Sequence, residues 1–123
     1  MPLRTALLVD DDPATSDSVR ALLPWREVKL ESTANADEAI DCLNRHHYCG
    51  LVLNLDTQAG RGADVLRHIG RKGPGMPIVV IASQFPDALR ALPVIEDVKL
   101  VVSRPFDVSL LAAMILGLCG LER

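Results

Sequence analysis

Three consecutive aspartates, Asp10-Asp11-Asp12, follow the apolar run Thr5 to Val9 and precede Pro13. Carboxylates crowded at the end of a strand repel one another and make a site for a hard cation, which prefers oxygen ligands. Such residues also cap helices, and Asp12 is the one best placed to cap a helix opening at Pro13. A second polar tip, Asn54-Leu55-Asp56, ends the apolar segment Leu51 to Leu53. Asn54 offers an amide, which is neutral and a poor nucleophile because its nitrogen lone pair is delocalised. Asp56 brings a carboxylate two residues further on, able to point to the same side. Arg104 adds a permanent planar cation, followed by Pro105 and Phe106. This set can bind a cation or pair ions. No nucleophile stands beside a base, so hydrolase and protease readings have no support.

The elements that must position these residues alternate along the chain. Thr5 to Val9 reads as a strand. Val19, Leu22 and Leu23 recur at helical spacing from Pro13 up to Pro24. Val28 to Ser32 alternates as a strand with one wetter face. Asn35 can cap a helix striped by Ala36, Ala39, Ile40 and Leu43. Leu51 to Leu53 is the third strand. Val65, Leu66 and Ile69 mark a third helix, stopped by Gly70 and Gly73-Pro74-Gly75. Ile78 to Ile81 reads as a strand covered on both faces. Asp87 to Leu92 is a weak fourth helix cut by Pro93, and Leu100 to Val102 a fifth strand. Asp107 can cap a last helix running to about Cys119.

Five β-α units imply a parallel sheet with helices on both faces. Right-handed crossovers narrow this to a doubly wound α/β fold, with the site at the carboxyl ends of the strands. Asp10, Asp11, Asn54, Ala82 and Arg104 all fall at such ends. The 123 residues fit one domain, 1–123, with no internal repeat or linker. Apolar residues at 49% and charged ones at 24% are ordinary for a soluble globular protein. The net charge of −3 gives no basic footprint for nucleic acid. The apolar runs are shorter than a membrane span, and Met1-Pro2-Leu3-Arg4 leads straight into a strand, without a signal peptide. Cys42, Cys49 and Cys119 have no metal-like spacing and read as reduced thiols of a cytoplasmic protein. His46 and His47 suit the end of the second helix. His68 lies among Arg67, Arg71 and Lys72 on a solvated basic face.

The acidic pair Asp10-Asp11, the strand tip at Asn54 and the Arg104-Pro105 pair resemble the receiver domain of two-component response regulators, over the whole chain. The resemblance implies a flavodoxin-like (βα)5 fold with strand order 2-1-3-4-5. It places Asp10 and Asp11 as Mg²⁺ ligands. The loop position of Asp56 gives the metal a backbone carbonyl, and the Asp56 side chain could also touch a cation. The chain departs from the family at every other site position. Asn54 stands where an aspartate takes the phosphoryl group. Ala82 replaces the switch Ser or Thr, Arg104 the Lys, and Val101 an aromatic residue that moves on activation. Arg104-Pro105 is a candidate cis peptide. These departures together imply a degenerate receiver that needs no cofactor, binds Mg²⁺ weakly or not at all, and is no enzyme. Arg104 is expected to stand in for the cation, about 2.7–2.9 Å from Asp10 or Asp11.

From Leu110 to Leu121 there is no charged residue. A helix apolar all round is normally buried all round. In receivers the fourth helix, fifth strand and fifth helix form the output and dimer surface, so Leu89, Leu92, Val101, Leu110 and Met114 are expected at a homodimer contact. The implied partners are a histidine kinase, an output domain or another signalling protein. The alternative is a phosphorelay receiver phosphorylated at Asp56. A flavodoxin-like small-molecule binder is disfavoured, because an acidic loop after the first strand repels phosphate.

Overall fold

The structure, a computed structural model, describes residues 4–72 and 75–121. Its strands are β1 (Arg4–Val9), β2 (Val28–Thr33), β3 (Gly50–Asn54), β4 (Ile78–Ile81) and β5 (Val98–Val102). They form one parallel sheet in the order β2-β1-β3-β4-β5, as the resemblance implies. The helices are α1 (Pro13–Leu22), α2 (Ala36–Arg45), the short α3 (Thr57–Gly60), α4 (Gly62–Lys72), α5 (Asp87–Arg90) and α6 (Val108–Leu118).

Every residue of β3 and β4 is buried, which a strand flanked by strands and covered on both faces requires. On one face Leu7, Val9, Leu51, Leu53, Ile78 and Val80 meet Ala36 and Ala39 of α2 and Val65, Leu66 and Ile69 of α4. On the other, Ala6, Leu8, Val52, Val79 and Ile81 meet Val19 of α1 and Leu111, Ala112 and Ile115 of α6. Side-chain caps start α1, α2 and α6. Asp12 accepts from the Ala14 N–H, Asn35 from Glu38 and Asp107 from Ser109. Each satisfies one of the donors that a helix start leaves unpaired.

Four features depart from the sequence pattern. The expected third helix, α4, runs through Gly70 to Lys72, because a lone glycine weakens a helix without ending it; Gly73 and Pro74 lie outside the described residues. The fourth helix shrinks to the four residues of α5, with Pro86 at its N-cap, and Pro93 opens a 3₁₀ turn over Pro93–Asp97. The edge strand β5 starts earlier than expected and carries one extra residue between Val98 and Leu100. Finally, Cys49 and Cys119 are joined as a disulfide, 70 positions apart, and only Cys42 is a free thiol. Reduced thiols were the expectation, and a pairing over such a separation leaves no trace in cysteine spacing.

Gly62 sets where α4 begins. A Cβ there would lie 2.6 Å from the Asn54 carbonyl oxygen and 2.7 Å from the Leu55 Cα. Both are backbone atoms and cannot swing aside, so the bare glycine lets α4 pack onto the strand tip that carries Asn54. Gly70 is different: a Cβ there meets Val94 at an ordinary 3.7 Å. Gly62→Ala should therefore cost about 1–3 kcal/mol in chemical denaturation, the range of an overpacked core. Gly70→Ala should be neutral or stabilising by up to about 1 kcal/mol, because helix propensity then dominates. Equal effects at the two positions would count against this packing.

Candidate functional site

The carboxyl ends of β1, β3, β4 and β5 gather the polar residues that the sequence singles out. Asp10 directly follows β1, and its side chain has no exposed surface. A carboxylate so placed needs donors. Its Oδ1 accepts the Asp12 N–H at 2.9 Å, and its Oδ2 faces Arg104 Nη2 at 3.2 Å. Arg104 lies just beyond β5, before a cis peptide bond to Pro105, and its side chain is 44% exposed. The guanidinium also sits 5.3 Å from the centre of the Phe106 ring. The contact to Asp10 goes through one nitrogen and is longer than the 2.7–2.9 Å expected. Arg104 is shared between this carboxylate, the ring and solvent.

Asp11 points to solvent, with Oδ2 accepting the Gln58 N–H at 3.2 Å. Gln58 has φ 52°, a left-handed conformation uncommon outside glycine. From there its Oε1 accepts the N–H of Ala36, the first residue of α2, at 2.8 Å. Arg61 adds a fork to Asp37 at 3.0 and 3.4 Å and a contact to Asp64 at 3.4 Å. Bonding to Asp37, first of all, raises the Arg61 pKa. The loop after β3 is thus tied both to Asp11 and to the start of α2. No sequence signal singled out Gln58 or Arg61, because each acts through a partner distant in the chain.

Asn54 is buried, and its Oδ1 accepts the Asp56 N–H at 2.9 Å, so the amide oxygen turns into its own loop. Asp56 is exposed, with Oδ2 accepting the Ser83 N–H at 3.3 Å. Ala82 is buried at the end of β4, its N–H bonded to the Val102 carbonyl. A methyl group therefore stands between β3 and β5. Among the described residues, no three His, Cys, Asp or Glu side chains are grouped to hold a metal ion. Asp10, Asp11 and Asp56 each turn to a different N–H partner instead. With one carboxylate facing a guanidinium and an amide at the strand tip, the donor set fits a divalent cation poorly.

The remaining expected residues divide. Leu110 and Val101 are exposed at 51% and 43%, and Leu92 and Met114 are half-buried. Leu89 is a correction: it is buried in the core under α5 and presents no surface. The short α5 turns it inward. His46 caps the end of α2 as expected, whereas His68 departs from the expected solvated face. His68 is half-buried and bonded to Asn44 at 2.9 Å. With His46 and His47 it lines a cavity of about 500 Å³ at the amino ends of the strands, away from the carboxylates. Beside it, burial above all, and then the bond to Glu31 at 2.6 Å, pushes the Tyr48 hydroxyl well above its usual pKa.

Comparison with known proteins agrees with this architecture. The family model of the response regulator receiver domain matches residues 6–116, and the chain belongs to that family. Response regulator MprA from Mycobacterium sp. (strain KMS) is 30% identical over 84 residues, 68% of this chain. The chain spans only about a third of such relatives, since the match covers 36% of MprA. A CheY-like receiver domain protein from Methanospirillum hungatei JF-1 superposes with a TM-score of 0.77 at 19% identity, covering 98% of this chain and 97% of that one. The receiver domain of the Francisella response regulator 1452 does so with a TM-score of 0.76 at 14% identity, covering 95% and 97%. Such low identities speak for the fold alone. The chain is thus a response regulator receiver domain.

Removing Arg104 leaves a fully buried carboxylate with one N–H donor. Arg104→Met should destabilise the chain by about 1–3 kcal/mol, the cost of an unsatisfied buried acceptor. Breaking a wholly buried pair costs about 3–5 kcal/mol, and the half-exposed arginine keeps this pair below that. Urea unfolding of the two chains measures it, and no loss of stability would show that the contact carries nothing.

Proposed function

We propose that this domain is a pseudo-receiver, passing signals by protein contact without the usual aspartate phosphorylation. One observation carries the reading. At the tip of β3, where the family forms an acyl phosphate, stands the buried amide of Asn54, hydrogen-bonded into its own loop. A carboxylate attacks phosphorus; an amide does not. Two other features support it. Ala82 has no hydroxyl to follow a phosphoryl group, and Arg104 supplies positive charge to Asp10 where a cation would otherwise be needed. On this reading the domain is cytoplasmic, is not an enzyme, requires no cofactor and holds Mg²⁺ weakly at most. No helix among the described residues is long and apolar enough to cross a membrane.

A second reading rests on Asp56. It is exposed beside Asn54 and lies against the Ser83 backbone, so it could accept a phosphoryl group in a phosphorelay. Incubation with acetyl phosphate and Mg²⁺, followed by intact mass, separates the two. The mass should not change. A gained phosphoryl group that disappears in Asp56→Asn would overturn the first reading in favour of the second. Restoring the acid by Asn54→Asp should yield little stable phosphorylation, because Ala82 still lacks the hydroxyl.

The same reading assigns the output to a homodimer through α5, β5 and α6. Leu100, Val101 and Leu110 are exposed, and α6 carries no charge from Val108 to Leu118. Exposed apolar surface of this kind marks interfaces, and a twofold contact presents the same patch from both copies. A stable contact would bury on the order of 1,200–2,000 Å² in total. Light scattering should find a dimer at high concentration, and Leu110→Glu should weaken it at least tenfold. A monomer at every concentration would reject self-association and leave this face to another protein.

A further inference from the structure

We propose that Cys49 and Cys119 form a reversible dithiol–disulfide modification site, oxidised by low-molecular-weight disulfides such as glutathione disulfide, which fastens the last helix to the sheet. Cys49 immediately precedes β3, and Cys119 caps α6. Their Cα atoms are 4.8 Å apart, inside the range that a disulfide spans without backbone movement.

The surroundings hold both halves in place. The Cys49 N–H donates to the Thr5 carbonyl at 2.8 Å, which extends the β1–β3 ladder by one residue. The Cys119 N–H closes the last turn of α6 on Ile115, and the Arg4 guanidinium donates to the Cys119 carbonyl. Gly120, at φ 72°, then turns the chain so that the Leu121 N–H reaches the Leu116 carbonyl at 2.8 Å. That backward bond is the closing pattern of a helix end. The helix rests directly on the strand: a Cβ at Gly50 would lie 2.7 Å from the Leu118 Cβ. Two sulfurs brought together by a strand ladder, a helix cap and a glycine contact are neighbours before any bond forms.

The two cysteines differ in access, and this orders the chemistry. Cys49 is half-buried, whereas Cys119 is 2% exposed and sits at a helix C-terminus, where the dipole disfavours a thiolate. Cys49 therefore reacts first. Its thiolate attacks a sulfur of the small disulfide, forms a mixed disulfide and releases one thiol. The Cys119 thiolate then attacks the Cys49 sulfur and expels the second thiol. In sum, two protein thiols and one small disulfide give one protein disulfide and two small thiols, a two-electron oxidation with both protons carried off by the leaving thiols. Cys42 cannot compete. It packs into the cluster on the opposite face of the sheet from Cys49 and Cys119.

The pairing does not depend on the reading of Asn54, so either can fail alone. The whole chain is equilibrated in glutathione mixtures of rising oxidised fraction. It is then quenched, alkylated with N-ethylmaleimide and weighed intact, with non-reducing peptide mapping. At the reduced end all three cysteines should be alkylated. At the oxidised end only Cys42 should be, with Cys49 linked to Cys119 and the link removed by dithiothreitol. Because the bond closes a long span of chain, amides of 115–121 should exchange with deuterium at least about tenfold more slowly in the oxidised form. Cys42→Ser should behave as the parent chain. Cys49→Ser, a change at the half-buried partner, should abolish the difference. Alkylation of all three cysteines throughout, a lasting glutathione adduct on Cys49, a bond to Cys42, or unchanged exchange would each overturn the proposal.

Discussion

The inner strands of a parallel sheet covered on both faces have no room for charge along their length, so their polar residues collect at the ends. Asp10 is the extreme case, a carboxylate whose side chain has no exposed surface. It must be answered by donors or a cation, since an isolated buried charge is very costly. Here the answer comes from Arg104 at the far end of β5. That contact joins the first and last strands of the chain across β3 and β4. Asp11 and Asp56 follow the same logic with weaker needs, because both are exposed and each meets one backbone donor.

The edge of the sheet obeys a different constraint. Successive residues of a strand point to opposite faces. Leu100 and Val101 are nonetheless exposed to similar degrees, 44% and 43%. Both faces of β5 are therefore incompletely covered, one by the truncated α5 and its 3₁₀ turn, the other by α6. Prolines 86 and 93 enforce the truncation, and the extra residue in β5 adds a local twist. Lys99, exposed on this edge strand, is the usual guard against open-ended pairing with other chains. A partner reaching this edge thus meets apolar side chains from either face rather than a bare backbone ladder.

Much of the architecture was legible because it rests on local rules. The runs at β1, β3 and β4 and the caps at Asp12, Asn35 and Asp107 each have a signature within a few residues, whereas the cis bond before Pro105 was implied by the family resemblance. That Asp10 and Arg104 fall at the carboxyl ends of strands was legible in the sequence, whereas their contact was expected from the resemblance, to Asp10 or Asp11 and at a shorter distance. What escaped was set by tertiary packing. Leu89 was expected at the surface because the family's fourth helix belongs to the output face, yet a helix of one turn points it into the core. Gln58 adopts a positive φ because its side chain and its N–H both find distant partners, and nothing in its own type announces that. The Cys49–Cys119 pair depends on how the last helix docks, which Gly50 and Leu118 decide between them.

These constraints bear on how such a domain could switch at all. Moving a two-state protein from about 1:99 to 99:1 takes roughly 10⁴-fold preference of a ligand for one state. A phosphoryl group supplies that preference only by bonding differently to the two conformations, through a switch hydroxyl and a cation. With the methyl of Ala82 in place of the hydroxyl, and a guanidinium already facing Asp10, a phosphoryl group would find few such differential contacts even if one were attached. Gln58 and Arg61 bond the loop after β3 to the start of α2. On the proposed reading, the balance between conformations is therefore written into the sequence. What remains adjustable is how many partners are present to bind the favoured one, and the free energy for any shift must come from the partner surface itself.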